Sequence, residues 1–95
     1  MRNYEIMLIV RPEEDEEAFK ASVDKVSGWI AANAGEIVKT DLWGRRRMAY
    51  SIKGVREGLY AVLTFKADPK ILVPVEHNLK LAEDVIRYLV INLDD

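Results

Sequence analysis

IVKTDLWGRRRMAYSIKGVREGLYAVLTFK, residues 37–66, is the stretch whose reading decides the fold. Its first half, Ile37 to Ile52, is β-prone and interrupted only at Gly44, which marks a bulge or a turn. Its second half alternates: Leu59, Ala61, Leu63 and Phe65 fall on one side, and Tyr60, Val62, Thr64 and Lys66 on the other. Between the halves, Lys53-Gly54-Val55-Arg56-Glu57-Gly58 has two glycines and little apolar content, as suits a hairpin loop. The stretch predicts one long bulged strand over 36–52 pairing with a second over 59–66.

On the N-terminal side, Tyr4-Glu5-Ile6-Met7-Leu8-Ile9-Val10 reads as a strand ending at Arg11-Pro12. Its lack of strict alternation predicts burial on both faces. The carboxylates Glu13 to Glu17 suit a helix N-terminus, where they interact favourably with the macrodipole. Phe19, Val23, Val26 and Ile30 then fall on one helical face, and Asn33-Ala34-Gly35 supplies the stop, with Gly35 suited to a left-handed cap. On the C-terminal side, Asp68-Pro69 opens a second helix with Leu72, Val75 and Leu79 on one face. Pro74 either kinks that helix or lies in its first turn. After Ala82-Glu83-Asp84, residues 85–93 read as the last strand.

The order β-α-β-β-α-β belongs to the α+β class. It implies a ferredoxin-like arrangement, a four-stranded antiparallel sheet with both helices on one face. Ninety-five residues allow one domain, 1–95, and 49% hydrophobic with 32% charged residues suit a single core with a solvated exterior. The absence of cysteine excludes disulfides, thiolate metal sites and a cysteine nucleophile. The N-terminus has no apolar signal region and no run approaches a membrane span, so the expectation is a soluble cytosolic domain.

With the helices on one side, the other sheet face is open. Tyr4, Ile6, Leu8 and Val10 are expected inward, with Glu5, Met7 and Ile9 outward; in the last strand the choice between Ile86/Tyr88/Val90 and Arg87/Leu89/Ile91 stays open. Met7, Ile9, Tyr60, Val62, Leu89 and Ile91 are the expected members of an apolar patch for a protein partner. A solvated antiparallel face would alternate to polar residues instead.

The net charge of −2 conceals a division: residues 1–38 carry −4, residues 39–70 carry +5 and residues 71–95 carry −3. At the centre of the basic segment stands Trp43-Gly44-Arg45-Arg46-Arg47-Met48-Ala49-Tyr50. Arg45 and Arg47 point one way along a strand and Arg46 the other. Edge protection by charge more often uses lysine, whereas the arginine fork suits phosphate. The cluster therefore points to nucleic acid. Catalysis has little to use: His77 reads as a surface helical residue, and the glycines match neither a P-loop nor a dinucleotide fingerprint. An RNA-recognition motif would place two alternating aromatics on the third strand, and only Tyr60 is offered. A ligand-sensing module would leave the arginines idle. An acylphosphatase-like enzyme would need an anion-binding loop where Arg11-Pro12-Glu13-Glu14-Asp15 stands.

Four segments in order carry a resemblance: Met1-Arg2-Asn3-Tyr4-Glu5, Trp43 to Tyr50, Arg56-Glu57-Gly58, and Glu83-Asp84-Val85-Ile86-Arg87-Tyr88. Together they resemble, from end to end, the family of the sixth small-subunit ribosomal protein of bacteria. The resemblance implies a structural, non-catalytic role in the small ribosomal subunit. It also implies assembly with the eighteenth small-subunit protein and joint binding to the central domain of 16S rRNA, with no cofactor, membrane or small-molecule substrate. By motif position Arg2 and Arg87 resemble residues near the RNA-facing end of the sheet, and Arg45, Arg46 and Arg47 resemble the basic part of the long second strand. The chain departs from the family pattern at Ser51, where many members have proline, at Pro74, and in an acidic tail reduced to Asp94-Asp95.

Overall fold

β1 (Arg2–Val10) and β3 (Val55–Ala67) form the middle of a four-stranded antiparallel sheet. β2 (Glu36–Ile52) lies outside β3 and β4 (Val85–Asn92) outside β1, giving the order β2-β3-β1-β4. α1 (Glu16–Ala32) follows β1; α2 (Leu72–Leu81), entered through a 3₁₀ turn at Pro69–Ile71, precedes β4. The computed structural model describes residues 1–52 and 54–94. The expected β-α-β-β-α-β order and ferredoxin-like sheet are both present.

The core follows from parity. Tyr4, Ile6, Leu8 and Val10 of β1 and Leu59, Ala61, Leu63 and Phe65 of β3 meet Phe19, Val23, Val26 and Ile30 of α1 and Val75 and Leu79 of α2. Each large aliphatic side chain removed from water there contributes roughly 1.5–3 kcal/mol, and Tyr4 stacks on Phe65 with ring centroids 5.6 Å apart. The outward residues Glu5 and Met7 are half-buried, so β1 is not fully covered on both faces as its apolar run suggested. In β4, Tyr88 and Val90 pack on the core and Arg87, Leu89 and Ile91 face outward. A register shift between Ile9 and Val10 lets Ile86 join the outward side too, where it packs with Ile9.

Local chemistry explains the helix ends. The Asp15 carboxylate accepts the Ala18 N–H at 2.8 Å, and Glu16 and Glu17 occupy the first turn of α1. At its far end the left-handed residue is Ala34 (φ 66°), not Gly35. Gly35 is required for another reason: a Cβ there would lie 2.9 Å from the Ile30 carbonyl oxygen and collide with the Ile30 side chain. Pro74 is the third residue of α2, where its missing N–H costs no helical hydrogen bond, and Asp68 accepts the Lys70 N–H at 2.9 Å to start the preceding turn.

The hairpin differs from its expected form. Val55 to Gly58 are not loop but strand, with pairs Ile52↔Val55, Arg47↔Glu57 and Arg46↔Gly58. Lys53, the first residue of the expected loop, lies outside the described residues, and Gly54 takes φ +78°. The polar character of Arg56 and Glu57 reflects a two-stranded ribbon running past the end of β1 rather than a turn.

The connection into β4 is tied down electrostatically. Lys25 Nζ lies 3.2 Å from Asp84 Oδ2, and the Asp84 and Glu83 carbonyls accept from the Arg11 N–H (3.0 Å) and Nε–H (2.7 Å). Burial alone would raise the Asp84 pKa. The Ser22 hydroxyl, the Lys25 ammonium and a backbone N–H outweigh it and hold the carboxyl below its ordinary value of 3.8. A carboxyl lowered on folding stabilises above its unfolded pKa and loses that contribution as pH falls through the folded one. Asp84→Asn should therefore be less stable than the parent at neutral pH, with the gap closing below pH 3.8, as urea titrations across pH will read.

Candidate nucleic-acid and partner interface

β2 carries the basic segment along the sheet edge. Arg45 pairs with Leu59 and Arg47 with Glu57, placing both on the helix side; Arg46 pairs with Gly58 on the open-face side. The expected alternation of the three guanidinium groups is thus present. Arg45 is partly committed: Nη1 lies 3.2 Å from Glu57 Oε2 and Nη2 donates to the Pro12 carbonyl at 3.1 Å. Arg46, among the described residues, donates only to the neighbouring Arg45 carbonyl, at 3.3 Å. Among the described residues neither Arg46 nor Arg47 meets a carboxylate. Arg47 borders an open cleft of about 910 Å³ with Arg45, Tyr50 and Arg56. An exposed pair such as Arg45–Glu57 is worth little and can exchange its carboxylate for a phosphate.

Gly44, at φ +83°, sits where the β2–β3 register shifts between Leu42 and Gly44. This bulge gives Trp43 no partner in the ladder and sets it beside Tyr60, rings nearly parallel (4°) with centroids 6.4 Å apart. Sequence reasoning counted Trp43 only as an aromatic flanking the arginines. Its place on the open face was signalled by the glycine that follows it, since an inserted residue resets which side each neighbour faces.

Arg87 lies opposite Ile9 in the ladder, and its Nη1 donates to the Tyr50 hydroxyl at 3.0 Å. Arg2 does not join it. Arg2 pairs with Ala67 at the other end of β1, seven residues from Ile9, or roughly 24 Å at about 3.4 Å per residue. The two arginines therefore occupy opposite ends of the sheet, and only Arg87 stands with the β2 cluster.

The expected apolar patch is present but smaller. Met7 and Tyr60 are half-buried, Leu89 is 45% and Ile91 37% exposed, and Val62 is only 7% exposed among its neighbours. Ile9 is not available: the β2–β3 ribbon bends onto the open face, and Met48, backed by Ile52 and Val55, packs on Ile9 and Ile86. One corner of the face is thus roofed by the chain itself, and the patch shifts toward Met7, Tyr60, Trp43, Leu89 and Ile91. Leu89 and Ile91 lie on an edge strand rather than a central one. His77 is exposed on α2, and the described residues contain no group of three or more His, Cys, Asp or Glu arranged to hold a metal.

The family model for ribosomal protein S6 matches residues 3–92. The chain belongs to the ribosomal protein S6 family. The small ribosomal subunit protein bS6 of Moorella thermoacetica is 40% identical over 95 residues, spanning 100% of this chain and 97% of its own. That of Clostridium novyi is 41% identical over 92 residues, 97% of each. The crystal structure of 30S ribosomal protein S6 from Thermotoga maritima has a TM-score of 0.91 at 33% identity, covering 96% of this chain and 86% of that one. The P2 domain of the chemotaxis kinase CheA, at 13% identity and a TM-score of 0.60, shares the fold alone. The S6 family is one of structural components of the bacterial small ribosomal subunit, not of enzymes.

The roof over Ile9 makes a testable claim. Met48→Ala should cost about 2 kcal/mol in urea denaturation, a value typical of truncating a buried methionine, and should speed proteolysis of the ribbon.

Proposed function

We propose that this chain binds the central domain of 16S rRNA jointly with the eighteenth small-subunit ribosomal protein, dividing the work between two surfaces. The basic ribbon neutralises phosphates, and the open sheet face holds the protein partner. The observation that carries the reading is the placement of Arg46, Arg47 and Arg87, none paired with a carboxylate among the described residues, beside a sheet face that exposes Trp43, Leu89 and Ile91. Guanidinium groups held by a strand but not consumed by internal acids are prepared to fork onto phosphate oxygens. Arg2 stands too far along β1 to share that contact, so a role in RNA binding would require a second contact region.

A ligand-sensing reading of the open sheet face fits less well. The depression on the open face, bounded by Met7, Tyr60, Arg87 and Leu89, measures about 210 Å³, below the roughly 300–1,000 Å³ typical of small-molecule sites.

Two outcomes test the reading. Replacing Arg45, Arg46 and Arg47 together by Ala should weaken binding of a central-domain rRNA fragment by the heterodimer and flatten its salt dependence, since each lost phosphate contact releases about one counterion fewer. An unchanged slope in filter binding removes these three as contacts. Leu89→Asp, at an exposed position, should abolish heterodimer formation in gel filtration while leaving thermal unfolding near that of the parent; unaltered heterodimer yield removes the sheet face as the partner site.

A further inference from the structure

Glu5 is the one carboxylate on the outward face of the central strand β1. It pairs across the sheet with Thr64 of β3 and Ile91 of β4, one step along the same face from Met7. Its side chain is half-buried, and among the described residues it forms no ion pair. Lys66, its diagonal neighbour across the β1–β3 ladder, does not reach it, and Lys39, two strands away, is engaged with Asp41 at 3.4 Å. A chain covering Met7 and Ile91 would strip the remaining water from this carboxylate. Desolvating an ionised carboxyl without a counter-charge is costly, so the covering surface must bring one.

We infer that Glu5 receives a lysine or arginine side chain of the protein that docks on the open sheet face, and that this pair sets which chain is accepted there. The inference rests on the partner reading above and deepens it by naming the complementary chemistry: apolar anchors for Met7, Leu89 and Ile91 around one cation for Glu5. The same carboxylate repels phosphate, which keeps RNA on the arginine-bearing ribbon and off the sheet centre.

The experiment measures association of this chain with the eighteenth small-subunit protein by titration calorimetry at two salt concentrations. Glu5→Gln keeps the shape and removes the charge; it should weaken binding by about tenfold and lessen its salt dependence, as expected for a charge-assisted contact at a partly desolvated site. Glu5→Lys should weaken it further. Thermal unfolding of each variant alone reports on folding. If Leu89→Asp abolishes association while Glu5→Gln leaves affinity and salt slope unchanged, the face docks the partner but Glu5 plays no part, and the inference is overturned. If Leu89→Asp itself leaves association intact, the partner reading fails instead. If Leu89→Ala, a change without charge, weakens binding of central-domain rRNA by the isolated chain, the face meets RNA, and the inference is likewise overturned.

Discussion

The antiparallel register between β1 and β3 runs without a break from Arg2↔Ala67 to Val10↔Leu59, and everything else hangs on it. Because side chains alternate with a period of two, a slip of β1 by one residue would turn Ile6 and Leu8 out of the core and bring Glu5 and Met7 into it. The two helices can cover only the face this register makes apolar. The other face is left to whatever the edge strands and the ribbon provide. Irregularity is confined to those edges: β2 shifts register between Ile37 and Lys39, between Leu42 and Gly44, and again beyond Arg47, and β4 shifts near Val10. A rigid centre with bulged margins lets the sheet aim particular side chains without loosening its core.

Those margins explain what could be read from residues alone. The buried stripe of α1, the alternation of β3 and the bulge at Gly44 were all legible, because each rests on local spacing or on one residue's backbone freedom. The outward orientation of Leu89 and Ile91 was not, since an eight-residue strand apolar on both sides has no parity signal. The extent of the hairpin was misjudged because a solvated ribbon and a loop share a polar composition. The covering of Ile9 was invisible for a different reason: Met48 reaches it only through a bend in the ribbon, which no window of sequence encodes. Arg2 and Arg87 looked alike as single arginines beside strands, and the antiparallel geometry separates them by most of the length of β1.

The charged groups sort by how far the fold has already used them. Lys25, Asp84 and Arg11 fasten the turn into β4 against β1 and α1. Asp94 fastens the last strand, accepting from the Asn3 backbone N–H at 2.7 Å and its side-chain amide at 3.1 Å, contacts that lower its pKa. Among the described residues, Arg46, Arg47 and Glu5 are engaged in no such fastening. In a family of ribosomal components, groups the fold leaves unspent at the surface are the natural places for neighbours to attach.

The small cluster of Ile9, Met48 and Ile86 has a mechanical meaning. It stands apart from the main core and sits where the ribbon folds over the open face, so its packed volume sets how closely that arm lies on the sheet. A methyl group gained or lost at this pivot shifts the strand segment that carries Arg45, Arg46 and Arg47 immediately before Met48. Natural variation at three apolar positions can therefore shift a polar surface without altering any polar residue on it.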